Sequence, residues 1–90
     1  MLTWEDCVGL CEVDPETIDA IAEHERVPEI VALELANYLI HCPDGVPRIK
    51  RMIIEDIDAS RGRGDAAHTR HLLRTLRHFI VYARSRSAQT

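Results

Sequence analysis

Apolar positions recur along this chain with a helical period, and no stretch shows the strict alternation of a half-buried strand. The strongest signal is Pro28 to His41, PEIVALELANYLIH. At roughly 100° per residue, its Ile, Val, Leu, Ala and Tyr side chains cover most of a helical circumference. Only Glu34, Asn37 and His41 form a polar stripe. A helix that is apolar nearly all round is normally buried between others, so 28–41 is expected to be the central helix. Pro28 suits its first turn, and Pro43 stops it by denying a donor and restricting Cys42.

Four further helices are expected around it. Thr3 is a candidate cap for a short one from Trp4 to about Cys11, with Trp4, Cys7, Val8 and Cys11 on one face. Val13-Asp14-Pro15-Glu16 opens the second: Asp14 caps, Pro15 takes the first helical position, and Val13 can staple on Ile18. This helix runs to about Glu25, and Arg26-Val27 leaves room only for a sharp corner before the central helix. The loop from His41 to Pro47 carries an Asp-Gly turn signal. After it, a helix from about Pro47 to Arg61 puts Ile49, Ile53 and Ile57 on its inner stripe, with Asp56 beside them and in need of a partner. Arg61-Gly62-Arg63-Gly64 breaks the chain, and Asp65 caps a last helix to about Arg84. Leu72, Leu73, Leu76, Phe79, Ile80 and Ala83 are expected to face inward there. Residues 85–90 read as a frayed tail. The fold class is therefore all-α, a bundle of about five helices, with residues 1–84 forming one domain.

Length adds a constraint. A domain of 90 residues buries only about 60–65% of its unfolded surface, so a homodimer that completes the core is a natural expectation. No run approaches the roughly 18 apolar residues of a membrane span. The opening MLTWEDC has neither the basic nor the apolar region of a secretory signal. The three cysteines therefore read as reduced thiols in a cytoplasm.

Charge changes the picture more. The formal net charge is −4, yet residues 1–45 hold eleven acids and one arginine, whereas residues 46–90 hold four acids and ten lysines and arginines. Such polarity bears on partners: the acidic half can lie against the basic half within one molecule or across a dimer.

Candidate chemistry is sparse. Cys7 and Cys11, four apart, could share a soft metal with His41, but zinc wants four ligands at suitable spacing, and both cysteines lie on an apolar stripe where Cys packs as a small hydrophobe. The histidines of the last helix offer a single Asp65-x-x-His68 and no Glu-x-x-His of the di-iron kind. No metal and no cofactor is assigned. Glu34, Asn37 and His41 could hold a ligand or a partner, but Glu34 and His41 stand about 10 Å apart along the axis, and a polar stripe that meets solvent or a polar partner is the plainer explanation. Arg70, Arg74 and Arg77 line the outer side of the last helix and could meet phosphates; an acidic protein whose other half repels a duplex argues against that use. No Ser-His-Asp order, glycine-rich phosphate loop or nucleophile elbow occurs, so no catalytic residue is assigned.

Several segments resemble a group of short, functionally uncharacterised bacterial proteins: Trp4-Glu5-Asp6-Cys7 with Gly9-Leu10-Cys11-Glu12, Ala22-Glu23-His24-Glu25 with Pro28-Glu29-Ile30, Asn37-Tyr38-Leu39, and Pro43-Asp44-Gly45-Val46-Pro47-Arg48-Ile49. The resemblance covers most of the chain and implies no activity or site residues. The expectation is a cytoplasmic, non-enzymatic helical module that works through protein–protein contact or regulation, as a homodimer or with another protein. The alternatives are a small metal- or ligand-binding protein and a nucleic-acid-binding helical module.

Overall fold

The computed structural model describes residues 13–88, with no side-chain description for 87 and 88. These residues form four α-helices and no strand: α1 (Pro15–Glu25), α2 (Glu29–Ile40), α3 (Gly45–Gly62) and α4 (Ala66–Ala88). The short helix expected over Trp4–Cys11, and with it Cys7 and Cys11, lies outside the described residues.

Local signals set most boundaries. Asp14 Oδ1 accepts the Thr17 N–H at 2.8 Å, Pro15 opens α1, and Val13 and Ile18 are both buried in the same core. The sharp corner after α1 is made by Arg26 in the left-handed region, φ 55° and ψ 49°, a conformation costly for a residue with a Cβ. It lets the Val27 N–H reach the Ala22 carbonyl at 3.1 Å. At the other break, Gly64 takes φ 73° and Asp65 Oδ1 accepts the His68 N–H at 3.1 Å, so the expected cap forms.

Two boundaries move. Helix α3 begins at Gly45 rather than near Pro47, because the Asp-Gly pair turns the chain directly into the helix instead of extending the loop. Gly45 is buried against the end of α2, where a Cβ would overlap the Leu39 carbonyl oxygen. Helix α4 runs on to Ala88, through residues assigned to a tail on sequence. Residues 84–88 contain neither Gly nor Pro, so no local breaker stops it.

The expected central helix also changes place. Among the described residues, α1 and α3 each pack against all three other helices, while α2 packs on α1 and α3. Ala32, Leu33, Ala36, Leu39 and Ile40 take its inward side. Two neighbours cannot cover the remaining apolar circumference, so Ile30, Val31 and Tyr38 are 46%, 42% and 66% exposed. The core lies instead around Ile18, Ile21, Leu39, Ile49, Ile53, Leu72 and Phe79, all fully buried.

Helix α4 is rotated from its expected setting. Leu72 and Phe79 face inward as expected, but Thr69 and Thr75 join them, whereas Leu76, Ile80 and Ala83 are half-buried and Leu73 is exposed. The hydroxyls of these two threonines are satisfied: Thr75 Oγ1 donates to the His71 carbonyl at 3.1 Å, and Ser60 Oγ lies 2.6 Å from Thr69 Oγ1. Apolar residues on α4 outnumber the places on one face, so some of them are left at the surface.

Candidate functional site

Two features stand out: a seam of histidines and carboxylates around α1, and an outer surface on which apolar groups lie beside exposed charges.

The seam follows from helix geometry. Glu16 and Glu23 stand seven residues apart on α1, two turns along one face. Helix α4 runs antiparallel to it and offers His78 opposite Glu16 and His68 opposite Glu23. Glu23 Oε1 accepts from His68 Nε2 at 2.7 Å, and His78 Nδ1 lies 3.4 Å from Glu16 Oε2. These two rungs join α4 to α1 along their facing sides. On the α3 side, His24 Nε2 meets Glu55 Oε1 at 2.7 Å while His24 Nδ1 meets Glu25 Oε2 at 3.0 Å. Carboxylates only accept, so both ring nitrogens must carry protons for both bonds to form. Burial opposes that charge, but the bonds to Glu55 and Glu25 outweigh it and raise the His24 pKa above its ordinary 6.5.

Asp56 sits behind this seam. It is only 7% exposed, and its Oδ2 has no hydrogen-bond partner. Burial pushes its carboxyl up to about 6, helped by the negative charges of Glu23 and Glu55 and opposed by His24 and His68. A carboxyl in that position changes charge near neutral pH. The need for a partner was visible in the sequence. Glu55 is its neighbour in the sequence, but Glu23, the larger of the two repulsions, arrives from α1, more than thirty residues away, and was not visible. His68 also stacks on His71, with ring centroids 6.2 Å apart. Among the described residues, no three His, Cys, Asp or Glu side chains converge in a way that could hold a metal ion.

The expected face residues lie on the surface. Glu34 and His41 are exposed and Asn37 is half-buried. Arg86 Nη2 donates to His41 Nδ1 at 3.3 Å, joining the C-terminal ends of α2 and α4. Arg70, Arg74 and Arg77 are exposed, as is Arg84. The ion pairs along α1 run through histidines, and these four arginines take no part in them. The acidic and basic parts of the chain thus meet through imidazoles along α1, without engaging the arginine stripe.

Beside those arginines lies apolar surface, including Leu73, which the periodicity placed in the core, and Val81, which it left unassigned. Leu73 is 42% exposed and Val81 61%. Leu73, Leu76, Arg77, Ile80, Val81 and Arg84 line a hollow of about 300 Å³. It adjoins a second of about 520 Å³ between α4 and the start of α3, and the two share Ile80 and Arg84. The signal in the sequence was the excess of apolar residues on α4, which spread beyond one face.

No family model, curated protein or solved structure matches the chain. Among the described residues, no helix is long and apolar enough to cross a membrane.

Proposed function

We propose that this chain is a non-enzymatic helical module of the bacterial cytoplasm that acts through protein–protein contact, with a regulatory rather than chemical output, and that it works as a homodimer. One observation carries the reading: exposed apolar side chains lie beside exposed arginines on α4 and beside glutamates on α2. Scattered surface hydrophobes need no explanation, but an apolar groove edged by charge of one sign is the usual form of a recognition surface. The small size of the domain supports self-association, since two copies bury more apolar surface than one. Cys42, a free and half-buried thiol, suits a reducing compartment. Light scattering after size exclusion at micromolar concentration tests the reading. A dimer is expected; a monomer that captures nothing would overturn it.

The arginine stripe favours a second reading, a nucleic-acid contact through Arg70, Arg74 and Arg77. That reading requires retardation of DNA or RNA at low salt, with affinity falling steeply as salt rises.

A further inference from the structure

Resting on the homodimer reading, we infer that the dimer is built by cross-docking. The acidic apolar face of α2 in one copy lies along the basic apolar groove of α4 in the other, and a two-fold axis repeats the contact.

Helix α2, EIVALELANYLI, carries Glu29 and Glu34 and no lysine or arginine. Helix α4 carries Arg70, Arg74, Arg77, Arg84 and Arg86 and no acid at all. Each leaves apolar side chains in water: Ile30, Val31 and Tyr38 on α2, Leu73 and Val81 on α4. Pairing α4 with α4 would set arginine against arginine, and pairing α2 with α2 would set glutamate against glutamate, and like charges facing each other oppose association. Pairing α2 with α4 places opposite charges at the rim and apolar groups at the centre.

Within one chain this match is not made. Helix α2 packs chiefly on α1 and α3, and the Arg86–His41 bond joins it to α4 at their C-terminal ends. The lengths agree. The twelve helical residues of α2 and the twelve from Leu73 to Arg84 each span about 18 Å at 1.5 Å per residue. A two-fold axis uses both faces of both copies, so the contact closes at two subunits and leaves neither face to recruit a third.

Charge reversal in two directions tests this on the full chain. The variants are E29K/E34K and R77E/R84E, all at exposed positions, each checked by circular dichroism for retained helix. Each variant alone is expected to weaken dimerisation about tenfold or more. Mixing the two at equal concentration should restore a dimer, because one contact then keeps its native charges and the other carries both reversals. The quadruple variant should dimerise alone. If a lysine or glutamate variant loses helix, the glutamine versions E29Q/E34Q and R77Q/R84Q replace it, with weakening of the same sign. Dimers that persist in each single-face variant overturn the cross-docked interface while leaving self-association standing. A mixture that stays monomeric shows that the two faces do not meet each other. A wild-type monomer overturns the homodimer itself.

Discussion

Replacing Asp56 with Asn should stabilise this domain at alkaline pH and remove most of its pH dependence. Asp56 is buried, one of its oxygens has no partner, and its carboxyl titrates near 6 against an ordinary 3.8. A folded-state pKa above the unfolded value means that the ionised form weakens the fold. The penalty is complete above about pH 6, fades as pH falls, and vanishes below about pH 4. A difference of about two units, at roughly 1.36 kcal/mol each, is near 3 kcal/mol. Water on the exposed carboxylates of Glu23 and Glu55 screens part of the repulsion, so about 1–2 kcal/mol is the expected gain for Asp56→Asn at about pH 8. His24 acts in the same direction. Its pKa is raised, so its contribution is complete below 6.5 and is lost as pH rises through the folded value. The wild type should therefore gain stability from about pH 8 down to about pH 5, the reverse of ordinary acid weakening. Urea denaturation of both proteins over that range measures this. Loss of stability in Asp56→Asn at about pH 8, or an undiminished slope, would refute the assignment of Asp56.

Gly45→Ala should fold poorly or not at all, because its Cβ would overlap the Leu39 carbonyl oxygen; a loss of about 3 kcal/mol or more is expected in thermal melts. Arg26→Gly should raise stability by about 0.5–1 kcal/mol by relieving the left-handed backbone, read as a higher denaturation midpoint. Phe79→Ala, at a fully buried position, should cost about 3–5 kcal/mol. Leu73→Gln, at an exposed one, should change monomer stability by less than about 0.5 kcal/mol yet weaken dimerisation.

Much of the architecture was legible in local chemistry. The Asp14-Pro15 start, the Asp65 cap and the isoleucine stripe of α3 are each specified within a few residues, and each forms. The setting of α2 and the rotation of α4 were not legible, for one physical reason. Both helices carry apolar residues beyond a single face, and periodicity cannot decide which of them a neighbour will cover. On α4 the observed setting buries Leu72 and Phe79 and brings His78 and His68 to Glu16 and Glu23, contacts that span more than forty residues. The candidate surface was half visible: Arg70, Arg74 and Arg77 were placed outward from sequence, but the exposed Leu73 and Val81 beside them turn that stripe into a groove. Glu34 and His41 reach the surface beside apolar residues that had been assigned to the core, so the exposed face of α2 is more apolar than its polar stripe suggested.

Native mass spectrometry of the untagged full chain, sprayed from a volatile buffer at micromolar concentration, tests self-association most directly. The account predicts a species of twice 10.2 kDa with no retained metal. A monomer would contradict the homodimer, and a subunit carrying zinc or iron would turn attention to Cys7, Cys11 and His41 instead.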